Sequence, residues 1–237
     1  MTVNRLSRAQ VAQIVTRLTD GKTLPQEVLV QIVEKTDGVP LFVEELTKAI
    51  LELGHLKEVE DHYELTGSLS AFAIPATLQD SLMARLDRLM TGKVIAQLGA
   101  TIGRQFSYAL LQAVSQLNDR TLHEELHRLV EAELLYQRGL PPQATYVFKH
   151  ALIQDAAYQS LLKSTRQHYH QRIAQVLEAQ FFEMAETQPA LVAYHYTEAG
   201  LIEHAIPYWQ RAGQQASDRS AHLFKCCTKT QAKLWPH

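Results

Sequence analysis

The stretch from residue 93 to 149 constrains the fold most, because its hydrophobic period changes once and in one direction. Three short helical patterns, about 93–102, 107–116 and 119–133, run into LLYQR and TYVFK, two β-rich segments separated by GLPPQA. Apolar residues three and four apart build a helix face, short β-rich runs build strands, and a Gly-Pro loop between two strands turns the chain back. Three helices followed by a β-hairpin make a winged helix, so this stretch is expected to hold a small sheet within a mainly α chain.

The flanks read as helices with clear punctuation. Ser7 can cap a first helix reaching about Leu18; Pro25 opens a second, with Val28, Leu29, Ile32 and Val33 on one side and Gly38 as its stop. Pro40 begins a third, in which Phe42, Leu46, Ala49, Ile50 and Leu53 form an apolar stripe, Glu45, Lys48 and Glu52 fall off it, and Gly54 ends the run. LKEVEDHYEL, residues 56–65, predicts a small hairpin, followed by a loop in TGSLSAFAIP. Thr77 with Asp80 is a start signal for a helix striped by Leu78, Leu82, Leu86 and Leu89. After His150 the chain returns to helix through ALIQDAAYQSLL and RQHYHQRIAQVLEAQF, and then to an antiparallel pair in ALVAYHYTEAG and IEHAIPYWQRAGQQA. Tyr194, Tyr196, Tyr208 and Trp209 are expected to fill that hairpin, and His168 and His170 to lie on a solvated face.

Composition narrows the functional classes. With 46% hydrophobic and 20% charged residues, the 237-residue chain has enough apolar content for one to three small domains. A formal charge of −2 supplies no global basic field for nucleic acid or an anionic membrane. No apolar run approaches a membrane span, and the start MTVNRLSRAQ lacks a signal-peptide core, so a cytoplasmic chain is expected. The two cysteines, adjacent at Cys226 and Cys227, exclude a disulfide framework and a Cys-rich zinc module.

Two motifs carry apparent chemistry. His123-Glu124-x-x-His127 has the spacing of a zinc hydrolase, with two imidazoles one helical turn apart and a carboxylate able to act as general base on bound water. A third ligand is missing from the pattern, since Val130 and Glu133 stand where the longer motif needs Gly and His, and both histidines flank a stripe of Leu122, Leu126, Leu129 and Val130. They are read as boundary residues, and no metal site is assigned. Gly21-Lys22-Thr23 has the end of a phosphate loop, but Thr16 occupies the place of its first glycine, and a helical pattern precedes it where a buried strand is required. No catalytic residue is assigned.

TDGVPLFVEELTKAIL, IPATLQDSLMARLDRL, FKHALIQDAAYQSLLKSTRQ and AYHYTEAGLIEHAIPYWQRAG together resemble one bacterial family, over roughly residues 5 to 221. That family comprises STAND-type signal-transduction ATPases, often fused to adenylate or guanylate cyclase domains. The resemblance implies an AAA+-type helical lid, then a winged helix, then the start of an α-helical, tetratricopeptide-like superhelix. In those terms residues 1–74 are the end of the ATPase module and its lid, 75–149 a linker helix and winged helix, and 150–221 a helical region with the first repeat hairpin. It also implies that Gly38 and Pro40, a Gly-x-Pro turn before a lid helix, contact nucleotide. The phosphate loop and the acidic strand that holds magnesium would lie upstream of Met1. ATP or ADP with Mg is therefore a ligand of a longer parent, whose ATPase domain and further repeats would be partners within the chain, with a protein partner on the repeats. Alone, this chain is expected to lack activity. Residues 222–237 depart from the family pattern, as a frameshift or truncation would make them, and are expected to be disordered.

A winged helix raises DNA recognition as the alternative function, because its third helix would enter a major groove. In 119–133, Arg120 and Arg128 stand against Asp119, Glu124, Glu125, Glu131 and Glu133, and the hairpin adds only Arg138 and Lys149. Such a face repels phosphates. It is read as a protein-contacting module, leaving a DNA-binding transcription regulator as the alternative and a zinc hydrolase as a third reading.

Overall fold

The computed structural model describes residues 5–66 and 76–234, with side chains as far as 218. Its helices α1 (Arg8–Leu18), α2 (Gln26–Thr36) and α3 (Pro40–Glu52) precede a hairpin of β1 (Leu56–Val59) and β2 (His62–Leu65). Next come α4 (Leu78–Arg88), α5 (Thr91–Ile102), β3 (Gln105–Ser107), α6 (Tyr108–Ser115), α7 (Asp119–Glu131), β4 (Leu135–Arg138) and β5 (Thr145–Phe148). The rest is helical: α8 (Ala151–Gln159), α9 (Lys163–Gln180), α10 (Phe182–Thr187), α11 (Pro189–Glu198) and α12 (Ile202–Leu234). The fold is mainly α. Among the described residues no helix is long and apolar enough to cross a membrane.

Residues 1–96 and 150–160 form one compact unit, and 97–149 with 161–237 form a second. The compact units thus divide the chain differently from the sequence modules, since α4 and α8 both fall in the first.

In the first unit the sequence signals act locally. Ser7 Oγ accepts from the Gln10 N–H while Gln10 Oε1 accepts from the Ser7 N–H, a reciprocal cap that fixes where α1 begins. Thr77 Oγ1 caps α4 through the Asp80 N–H at 3.0 Å. Val11, Val15, Val28, Ile32, Phe42, Val43, Leu46 and Ile50 pack into one core, with Leu29 and Val33 partly buried against it. Each such side chain contributes roughly 1.5–3 kcal/mol on leaving water. The antiparallel β1–β2 pair adds Leu56 and Leu65, which face each other in register and pack on the same core. The loop expected after β2 lies, beyond Thr66, outside the described residues.

The second unit contains the expected winged helix plus an element that the sequence pattern misses. β3 is three residues long, too short to display alternation, yet it pairs with β5, giving a three-stranded sheet in the order β3-β5-β4. Phe106 from β3 lies between Tyr146 and Phe148 of β5, with ring centroids 5.9 Å from each. α6 is tied to α7 by the Tyr108 hydroxyl, which donates to Asp119 Oδ1 at 2.5 Å. α9, α11 and α12 pack in sequence, and Gly200, at φ +79°, makes the turn between the last two. The Tyr196 and Tyr208 hydroxyls both donate to the carboxylate of Glu178 on α9, while Trp209 Nε1 donates to Thr197 Oγ1 at 3.0 Å. Tyr196 is buried, whereas Tyr194 and Trp209 remain exposed, so only part of the expected aromatic filling is core.

α12 continues to Leu234. No Gly or Pro interrupts the sequence between Gly213 and Pro236, so nothing local stops the helix.

Candidate functional site

The turn before α3 is built by the backbone. Asp37 and Gly38 both take left-handed conformations, with φ +47° and +70°. Leu6 N–H donates to the Gly38 carbonyl at 2.8 Å, which brings the two backbones so close that a Cβ on residue 38 would stand 2.4 Å from Leu6 O. Glycine is required there twice over, by φ and by space. Arg5 pairs with Asp37 across the same junction. Pro40 then occupies the first helical position, where its missing N–H leaves no bond unmade.

The two residues of this motif face different surroundings. Gly38 is buried under the Leu6 backbone, whereas Pro40 is exposed and lines an open groove of about 480 Å³ with Ile14, Arg17, Leu18, Leu41, Glu44 and His150. The groove has an apolar wall, with a guanidinium, a carboxylate and an imidazole around it. Behind it, Glu45 is fully buried, which corrects its expected place off the apolar stripe. Arg85 of α4 ion-pairs with Glu45 and donates from Nε to Glu52 at 3.1 Å. Arg88 adds Glu52 at 2.9 Å, and Ser81 Oγ donates to the Glu45 carbonyl at 3.1 Å. Helices α3 and α4 are thereby locked in register by a charge network inside an apolar contact, an arrangement that is stable only while both charges are present.

Gly21-Lys22-Thr23 is an interhelical turn whose donors are already used. Gly21 N–H donates to Thr16 O at 2.8 Å, Lys22 N–H to Thr19 O at 3.0 Å and Thr23 N–H to Asp61 O at 3.2 Å. Thr23 O accepts from Tyr63 N–H at 2.9 Å, and Lys22 pairs with Glu58. A phosphate loop works by aiming such N–H groups at the anion, and these three are turned inward to the protein. Next to Thr23, His62 bonds Asp61 at 2.9 Å and Glu64 at 3.3 Å, and these carboxylates raise its pKa.

On α7 the stripe Leu122, Leu126 and Leu129 is buried as expected, and His123 and His127 are exposed beside it. His127 Nδ1 lies 3.3 Å from Glu131, and Glu124 accepts from Arg120 at 2.9 Å. Among the described residues no three His, Cys, Asp or Glu side chains converge as a metal site would require. Two further cations of this module are paired, Arg128 with Glu125 at 2.9 Å and Lys149 with Glu133 at 3.3 Å.

The sequence reading missed a buried histidine pair. His170 of α9 and His195 of α11 are both inaccessible to solvent, with their Nδ1 atoms 2.8 Å apart. This corrects the solvated face expected for His170, while His168 is exposed. His170 shares a helical stripe with Ile173, Ala174 and Leu177, all buried, and that spacing was the signal available. One ring donates and the other accepts, so two neutral rings of opposite tautomer satisfy the contact. Burial holds His170 down to about 4, with Arg166 adding to the effect, and His195 down to about 3, with His170 adding to it.

No protein-family model matches the chain. It is similar to an uncharacterized protein of Rhizobium meliloti, with 31% identity over 188 residues. The match covers 78% of this chain but spans 18% of the length of that relative.

Proposed function

We propose that this chain is a regulatory segment of a cytoplasmic, STAND-type signalling ATPase: lid helices, a winged helix and the start of a helical-repeat sensor, without catalysis of its own. The carrying observation is the order of modules. In chain order a helix–strand–helix–helix–strand–strand run is followed by α8 and then by the packed helices α9, α11 and α12. The resemblance in sequence and the match to a small part of a much longer protein support the same reading.

In a longer parent, ATP or ADP with Mg would supply a phosphate state to be sensed. The Pro40 groove fits such a ligand only in part: Ile14, Leu18 and Leu41 offer a wall for a flat ring, and Arg17 a cation beside it. The inward-turned N–H groups at Gly21, Lys22 and Thr23 leave the phosphates to residues elsewhere. The α3–α4 charge lock would let the lid respond as a rigid pair. A partner on the repeats would shift the equilibrium between two arrangements of lid and winged helix, change nucleotide exchange and reach an attached output such as a cyclase. The paired cations of α7 favour a protein contact over DNA.

Nucleotide binding tests the reading. The full-length Rhizobium meliloti relative is expected to bind a fluorescent ADP analogue with Mg, and the isolated chain to hydrolyse no ATP. Hydrolysis by the isolated chain, or a relative that binds no nucleotide, would overturn it.

A further inference from the structure

The sheet of the second unit ends on β3, because its strand order is β3-β5-β4. In an antiparallel ladder successive residues turn their main-chain groups alternately toward the partner strand and away from it. The Phe148 N–H donates to Arg104 O at 3.0 Å and the Tyr108 N–H to Ala144 O at 2.8 Å, so residues 104, 106 and 108 turn toward β5. Gln105 and Ser107 therefore turn their main-chain groups to the open edge. Among the described residues neither of their N–H groups, nor the Gln105 carbonyl, has a hydrogen-bond partner there.

Beside that edge lies a cavity of about 360 Å³, built wholly within the second unit. Ile102, Phe106 and Leu110 supply apolar surface from the winged helix, and Met184 of α10 and Leu191 of α11 supply it from the helices that follow. Gln105, Ser107, Thr145 and Gln188 add amides and hydroxyls, and no ionisable side chain lines the space. Gln105 is exposed, so the cavity opens to solvent at the strand edge itself. A small apolar molecule would fill this space and leave the edge donors unmet. An extended chain meets both, since its main chain bonds the edge while a side chain enters the cavity.

We propose that β3 and this cavity together form a docking groove for an extended segment of another protein, uncharged at its centre and carrying an apolar side chain there. The segment adds a fourth strand beside β3, accepting hydrogen bonds from the Gln105 and Ser107 N–H groups and donating one to the Gln105 carbonyl. The inference uses the second unit alone and is independent of the nucleotide-switch reading.

The test is titration of the full 237-residue chain with blocked peptides acetyl-KTXVTK-amide, where X is Val, Leu, Met or Phe, followed through backbone amide NMR signals. At least one peptide should shift the Gln105 and Ser107 amides saturably. Its counterpart methylated on the two central backbone nitrogens should bind at least about fivefold more weakly, the worth of one main-chain hydrogen bond. Gln105→Pro removes an N–H that takes no part in the β3–β5 ladder, which an edge strand tolerates, and Leu191→Trp fills the cavity from α11. Each should weaken binding by a similar factor, while Arg138→Gln on the wing should leave it unchanged. Should Gln105→Pro lose its fold, Leu191→Trp and the methylated peptide still decide. The proposal is overturned if none of the four peptides binds, if the methylated form binds equally well, or if both variants keep the native affinity. It is also overturned if the same amides shift when the chain is concentrated alone, which would make the occupant a second copy.

Discussion

Acidification should unfold the second unit through His170 and His195. Both rings are neutral and solvent-free in the folded chain, held down to about 4 and about 3 by burial, whereas in the unfolded chain each returns to an ordinary value near 6.5. The unfolded state therefore binds protons first, and the stability tied to the pair is complete above about pH 6.5 and falls as pH drops toward the folded values. At about pH 5 each ring has lost about 2 kcal/mol of that contribution, since the unfolded value lies roughly 1.5 pH units higher. Because the rings share one hydrogen bond and titrate as a pair, the expected total is about 2–4 kcal/mol. Urea unfolding at about pH 7.5 and about pH 5, followed by far-UV circular dichroism and tryptophan fluorescence, measures this loss. Trp209 reports from α12, in the same unit. The double variant His170→Gln/His195→Gln replaces the ring pair by amides that can hydrogen-bond and removes the titration. It should lose about 2–4 kcal/mol less than the native chain over the same interval. Equal losses in the two proteins would refute the reasoning, by showing that other groups control acid unfolding.

Three further outcomes follow from backbone and packing. Gly38→Ala should cost at least ~2 kcal/mol, because the left-handed φ and the Leu6 carbonyl both oppose a Cβ; a thermal or urea midpoint equal to the native one would contradict this. Arg85→Leu should cost about 3–5 kcal/mol by leaving Glu45 buried and unpaired, and adding Glu45→Leu should recover much of it, which a double-mutant cycle in urea would measure. Gly99→Ala pits a helix-propensity gain of about 1 kcal/mol against overpacking of about 1–3 kcal/mol. A Cβ there meets the Phe106 ring at 2.7 Å, and Tyr146 and Phe148 hold that ring, so a net loss is expected and a raised melting temperature would count against it.

The parts of this fold legible in the sequence are those decided within a few residues. The caps at Ser7 and Thr77, the glycine turn at 38 and the leucine stripe of α7 each depend on neighbours one turn away, and each lies where its spacing places it. The inward-turned GKT segment was legible too, because the missing first glycine and strand context are local facts.

What escaped the sequence was polar burial, for one physical reason. A helical stripe predicts an interior side chain from its apolar neighbours, but whether a polar residue may join that stripe depends on a partner distant in sequence. Glu45 is tolerated in the core only because Arg85 arrives from α4, and His170 only because His195 arrives from α11. Neither partner lies within reach of local periodicity. Arg172 is a different case: it is half-buried, and among the described residues its Nη2 has no hydrogen-bond partner. A guanidinium that keeps part of its surface in water carries one unmet nitrogen without a distant partner, which a fully buried Glu45 or His170 could not do.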